Sequence, residues 1–257
     1  MIFYKTEEEI EQIRQSAMIL SQAHGEIALL IKEGVKTVDL DNRAEEFIQD
    51  HGAKPSFKNY NGFPYSLCIS VNSTVVHGMP SKYVLKDGDV ISVDCGVYFK
   101  GFHSDCAYTH AVGNVSEEVQ KLLTVTEESL YKGIENATVG SRLGDIGFAV
   151  QQHAEGNGYG VVRELVGHGL GRNLHESPEV PNYGRRGQGV KLQNGLVIAI
   201  EPMINLGTRH IVQEDDGWTI RTRDNKPSAH FEHTVVVRKD KAEILTSFEY
   251  IKQAKKQ

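Results

Sequence analysis

VISVDCGVYFKGFHSDCAYTHAV, residues 90–112, decides the fold. Two apolar stretches rich in β-branched and aromatic residues flank the dipeptide Lys100-Gly101, which reads as the tip of a β-hairpin. If those two residues form the whole loop, Phe99 faces Phe102 and Gly96 faces Asp105. Asp94 then lies on the same face as Asp105, one diagonal step away. A one-residue bulge would instead set the two aspartates directly opposite each other. In either register two carboxylates share a face of a strand pair that is otherwise apolar. Like charges about 4 Å apart cost roughly 4 kcal/mol at an effective dielectric of ~20. One reading is a cation between them. The other is one acid in solvent while its partner makes a local hydrogen bond.

Outward from the hairpin, the chain repeats an order of elements. Thr6 and Glu9 form a capping box that opens a helix. Ile10, Ile13, Ala17, Leu20, Ile27 and Ile31 recur at helical spacing, and Gly34 is expected to stop the run. A second helix is expected from Thr37 to Gly52, then strands at 66–71, 90–99 and 102–112. Ser116 opens a third helix, and a fourth carries Leu143, Ile146, Val150 and Ala154 and ends near Gly156. Strands are expected again at 159–166, 196–204, 217–222, 229–237 and 242–246. Two helices followed by strands, twice over, imply one fused domain over 1–257, with related halves at roughly 1–112 and 113–250 around a shared cleft. VISVDCG against VIAIEPM is the clearest echo between them.

Composition excludes several classes. Of 257 residues, 39% are hydrophobic and 24% charged, an ordinary globular balance. The net charge of −6 argues against a dedicated nucleic-acid binder. The one basic cluster, Lys252, Lys255 and Lys256, reads as a solvated tail, with ribosome contact as the alternative. The start, MIFYKTEEEIEQIRQ, lacks the apolar stretch of a signal peptide, and no run reaches membrane-spanning length, so a cytoplasmic location is expected. Cys68, Cys95 and Cys106 form no CxxC pair and suit a reducing compartment. Cys95 and Cys106 each follow an aspartate, so on a strand they point to the opposite face, into the core. Cys68 is left open as a pocket residue.

The second half supplies more misplaced charge. Glu201 ends the apolar run LVIAI just before Pro202. Glu232 sits within HFEHTVVV, where strand alternation puts His230, Glu232 and Thr234 on one face and Phe231, His233 and Val235 on the other. His168 lies in the turn-rich stretch VGHGLGRNLHESP, whose glycines would let the backbone approach an ion. Four carboxylates and one imidazole match the charge of two divalent cations. Oxygen-rich donors favour Mn²⁺, Fe²⁺ or Co²⁺ and tolerate Zn²⁺. Two such ions can share a water, acidify it and polarise a carbonyl, which is equipment for amide hydrolysis.

VVHGMP around His77, VDCG around Asp94, GFHSDCA around Asp105, GHGLGRNLHESP around His168 and His175, IEPM around Glu201 and HFEHT around Glu232 together resemble the type I methionine aminopeptidases over roughly residues 3–250. The spacing agrees: 11 residues separate the aspartates, 33 separate His168 from Glu201, and 31 separate Glu201 from Glu232. The resemblance implies the α+β pita-bread fold, with two pseudo-symmetric halves, antiparallel sheet inside and helices outside. It implies removal of the initiator methionine from nascent chains, with a small second residue, through a water shared by two metals. By that likeness Asp94 chelates one ion, Asp105 and Glu232 bridge both, and His168 and Glu201 bind the other. His77 and His175 would contact substrate, and Glu201 would shuttle a proton. Tyr60, Phe63, Cys68 and Trp218 would form the methionine pocket, in which Leu174 replaces an aromatic residue of some relatives. His103 would lie outside the ligand set. Backbone near Asn72, Thr74 and Ser228 would hold a monovalent cation. A monomer, with at most transient ribosome contact, is expected. Fewer than 95 residues precede Asp94, so the large N-terminal domain of prolidase-like relatives is not expected. The competing readings are an Xaa-Pro exopeptidase of the same fold and a non-enzymatic binding module built on it.

Overall fold

A computed structural model describes residues 1–256. Helix α1, Glu7–Leu30, begins as expected. The Thr6 hydroxyl accepts from the Glu9 N–H and the Glu9 carboxylate accepts from the Thr6 N–H. Its buried stripe includes Ile10, Ile13, Ala17, Leu20 and Ile27. The helix ends at Leu30, earlier than Gly34 implied: Ile31 is extended, and Gly34, at φ 90°, donates to the Leu85 carbonyl in the turn that follows. Helix α2 spans Thr37–Asp50, α3 Glu117–Glu135 with Ser116 as its cap, α4 Leu143–Gly156, and α5 Glu249–Ala254. Among the described residues no helix is long and apolar enough to cross a membrane.

The hairpin folds in the tight register. Phe99 pairs with Phe102, Gly96 with Asp105, and Asp94 with Ala107, so the two aspartates are diagonal neighbours without a bulge. Strand Val90–Phe99 also pairs antiparallel with Leu67–Val71, which sets Cys68 opposite Asp94, and with Lys54–Pro55. Cys95 and Cys106 are buried in the main core. A second antiparallel sheet runs in the order Glu243–Ile244, His233–Val236, Val197–Ile200, Gly167–Gly169, Glu176–Val180. Two three-stranded sheets complete the inner layer. One joins Ser228–His230, Met203–Asn205 and Gly160–Val161; the other joins Ile211–Gln213, Ile220–Thr222 and Thr74–Val76.

The second half departs from expectation in its strands. The runs 196–204 and 229–237 are each broken, at Glu201-Pro202 and at Phe231-Glu232. Each run begins in one sheet and finishes in another, and the breaks are level: His233 pairs with Ile200 on one side and Met203 with His230 on the other. Pro202 has no N–H to give a ladder. The expected strands at 159–166, 217–222 and 242–246 shrink to Gly160–Val161, Ile220–Thr222 and Glu243–Ile244. The glycines beside His168 serve strand packing and not ion approach. A Cβ on Gly167 would stand 2.3 Å from the Ala199 carbonyl oxygen, and one on Gly169 would stand 2.5 Å from that of Ser177.

Two threonines join the hairpin to the second half. The Thr234 hydroxyl accepts from the Asp105 N–H and donates to the Asp105 carbonyl. The Thr109 hydroxyl does the same for His230, at 2.9 and 2.7 Å. Glu232 N–H donates to the Ala107 carbonyl. Thus the backbones of Asp105 and Glu232 are held independently of their own side chains.

The termini are also tied down. Lys5 pairs with Glu176 at 2.5 Å, with side chains 4% and 3% exposed. Removing one member of a buried pair strands the other charge, so Lys5→Met is expected to cost about 3–5 kcal/mol, read as a lower urea midpoint at an unchanged slope. Helix α5 docks on α1 at Gly25, where a Cβ would lie 2.7 Å from Cβ of Tyr250. Lys255 is not simply a solvated tail residue: its ammonium lies 4.6 Å from the centre of the Tyr108 ring.

Candidate metal centre

Asp94, Asp105, His168, Glu201 and Glu232 converge on one cavity of about 360 Å³. Asp105 and Glu232 are buried, while Asp94 and Glu201 are half-buried and open to it. Single donor atoms of Asp105, His168 and Glu232 lie within 4.8 Å of one another. His168 Nε2 stands 3.8 Å from Asp105 Oδ2 and 3.7 Å from Glu201 Oε1.

Among the described residues no lysine or arginine pairs with the four carboxylates, and the bases within 4 Å of any of them are His168, beside Asp105 and Glu201, and His230, beside Glu201. Burial lowers His168 to about 3, so it is neutral. Its Nδ1 lies 2.9 Å from the Gly169 carbonyl, which fixes the proton there and leaves a bare Nε2 lone pair facing the acids. Oδ1 of Asp94 and Oε1 of Glu232 are buried without a hydrogen-bond partner. The carboxyls respond as crowded acids do. Burial pushes Asp94 up to about 7 and Glu201 to about 8. Asp105 and Glu232 are held well above the usual range by burial and by their acidic neighbours. Oxygen donors with orphaned atoms, plus one imidazole in the ligating tautomer, fit divalent cations.

The expected substrate residues line the same cavity. His77 adopts φ 57°, and Gly78 follows it because a Cβ there would lie 2.2 Å from the Ile69 carbonyl oxygen. Burial holds His77 down to about 4, hence neutral. His175 Nδ1 is 2.8 Å from the Tyr60 hydroxyl, and its ring packs edge-on against His168 at 4.2 Å. Phe57, Phe63, Cys68 and Leu174 form an apolar cluster of their own, with Tyr60 and Trp218 packed on it. Phe63 meets Trp218 edge-on at 5.2 Å. Burial holds the Cys68 thiol well above its usual range, so it is a neutral wall residue. His103 lies outside the group and hydrogen-bonds Ser56 through Nδ1. The segments read as a monovalent-cation site are adjacent, since Ser228 N–H donates to the Asn72 carbonyl at 3.0 Å.

Sequence reasoning missed His230. It lines the cavity, is 1% exposed, and has no partner at either ring nitrogen. The signal was present: alternation set it on the face of Glu232.

Comparison with known proteins agrees with this geometry. The sequence profile of metallopeptidase family M24 matches residues 11–239. A methionine aminopeptidase of Clostridium perfringens is 54% identical, the alignment covering 96% of this chain and 99% of that protein. The crystal structure of methionine aminopeptidase from Rickettsia prowazekii superposes with a TM-score of 0.95 at 40% identity, covering 96% of this chain and all of that one. A prolidase from Pyrococcus furiosus shares the fold at 25% identity and a TM-score of 0.77, with only 65% of its length matched. The pita-bread fold holds the acids of both halves around one cavity, and the chain belongs to metallopeptidase family M24, among the methionine aminopeptidases.

Proposed function

We propose that this chain removes the N-terminal methionine from nascent polypeptides whose second residue is small, using two divalent ions held by Asp94, Asp105, His168, Glu201 and Glu232. The observation that carries the reading is four carboxylates, without a lysine or arginine partner among the described residues, beside an apolar, aromatic-walled pocket in a single cavity. Bound there, the ions supply the Lewis acidity that activates water and polarises the scissile carbonyl. Asp105 and Glu232, fixed by the strand seam, would hold the ions together with Asp94, His168 and Glu201. The same donors accept Fe²⁺, Mn²⁺ or Co²⁺.

The chain's own groups do the rest. His77, neutral and outside the ligand set, hydrogen-bonds the scissile amide. With the Tyr60 hydroxyl donating to Nδ1 of His175, that ring carries its proton on Nε2 and donates it to the oxygen that gains charge. Glu201 takes a proton from the attacking water and returns it to the leaving amine. The methionine side chain packs between Tyr60, Phe63, Cys68, Leu174 and Trp218, where aromatic edges suit a thioether. Burying that side chain contributes about 1.5–3 kcal/mol, a preference of about 10- to 150-fold over a truncated first residue. Such a substrate places the work in the cytoplasm, on chains leaving the ribosome, and one monomer suffices. Main-chain oxygens near Asn72, Thr74 and Ser228 would take a monovalent cation that stiffens the strand ends.

The test is release of methionine from Met-Ala-Ser against Met-Lys-Ser, with and without added Fe²⁺, Mn²⁺ or Co²⁺. Metal-dependent cleavage that strongly favours Met-Ala-Ser is expected. Faster release from an Xaa-Pro peptide would transfer the assignment to the proline-specific enzymes. Absence of both bound metal and peptidase activity would leave a binding module.

A further inference from the structure

Glu201 lies between two imidazoles. Its Oε1 is 3.7 Å from Nε2 of His168, and its Oε2 is 3.7 Å from Nε2 of His230. The two rings differ at their far nitrogens. Nδ1 of His168 is committed to the Gly169 carbonyl, whereas Nδ1 of His230 has no partner. A ligating histidine almost always gives its other N–H to an acceptor, and His230 has none to give it to. The proton of His230 therefore belongs on Nε2, where Glu201 Oε2 is the acceptor in front of it. A closure of about 0.5 Å makes that a hydrogen bond.

His230 is also held for this task. Its N–H and carbonyl both bond the Thr109 hydroxyl, and its strand pairs it with Met203, two residues beyond Glu201. A buried polar group without a partner is costly, and an apolar side chain at this position would avoid that cost.

We propose that His230 is a positioning residue of the metal centre: its Nε2–H holds Oε2 of Glu201, so that Oε1 faces the centre beside Nε2 of His168. The proposal rests on the dinuclear reading above.

Metal-stripped wild type, His230→Gln and His230→Leu are titrated with Mn²⁺ by calorimetry. The Co²⁺-loaded forms are then compared by X-ray absorption, which counts imidazole ligands. The Leu variant is expected to keep its fold and its imidazole count while Mn²⁺ affinity falls about 10- to 100-fold. The Gln variant, whose amide can donate to the same oxygen, is expected to recover to within about threefold of wild type. Unchanged affinity in the Leu variant overturns the proposal, and so does a lower imidazole count that Gln fails to restore, which would make His230 a ligand. Wild type that binds no divalent ion overturns the dinuclear reading itself, and this shows before any variant is measured.

Discussion

Glu232→Gln is expected to abolish tight divalent-metal binding and, with it, nearly all metal-dependent stability. The side chain is buried, its Oε1 has no partner, and its backbone is fixed to Ala107. The substitution therefore removes charge without moving the strand. A metal present at a thousandfold excess over its Kd stabilises a fold by about 4 kcal/mol. In a chain of this size that is about 8–16 °C in Tm. Scanning calorimetry should show that gap between metal-loaded and EDTA-treated wild type, shrinking to under about 3 °C in the variant. The metal-free variant should be at least as stable as metal-free wild type, because one buried carboxylate fewer competes with its neighbours. A wild-type gap retained in full would overturn the assignment of Glu232 to the ligand set.

The same carboxylates give metal-free wild type a characteristic pH response. Folding raises Asp94 to about 7 and Glu201 to about 8, from ordinary values near 4. Between about pH 4 and 8 these two carboxylates hold more protons in the folded state than in the unfolded one, so their contribution to stability falls as pH rises; below about pH 6.5 the buried neutral His77 and His168 act in the opposite sense, which leaves the fall clearest between about pH 6.5 and 8. Metal reverses the balance, since it binds the deprotonated acids.

His77→Ala is expected to lower kcat about 10²- to 10⁴-fold while metal binding stays intact. His77 is placed by backbone. The Gly78 carbonyl accepts from the Ile69 N–H at 2.7 Å, and the Gly78 N–H donates to the Ser70 hydroxyl at 3.2 Å. These bonds survive truncation, and alanine at φ 57° carries a strain similar to that of histidine. Steady-state kinetics beside calorimetric metal titration separate the two effects. Lost metal occupancy would show that His77 acts through the ligands and not on the substrate.

Local signals were legible where one short-range rule governs. The two-residue tip Lys100-Gly101 fixes the register that brings Asp94 and Asp105 to one face. Thr6 with Glu9, and Ser116, mark helix starts. The breaks at Glu201-Pro202 and Phe231-Glu232 were not legible as breaks, because an alternating apolar run reads the same whether its strand stays in one sheet or crosses to another. Alternation nonetheless survives the break at 231–232: His230 and Glu232 both line the cavity, while Phe231 and Val235 enter the core. The glycines flanking His168 misled for a related reason. Their necessity comes from strands distant in sequence, Ala199 and Ser177, which no local pattern reports. The pairing of Tyr60 with His175 depends likewise on tertiary proximity.

Phe57, Phe63, Cys68 and Leu174 pack as a cluster apart from the principal core, while most of the acids stand on strands or at strand ends. The apolar cluster and the carboxylates thus form two walls of one cavity, of different chemistry. Libraries confined to Phe63, Leu174 and Trp218 would explore new first-residue preferences without touching the carboxylates, and because Phe63 and Leu174 are buried, volume-conserving replacements are the ones that spare the fold.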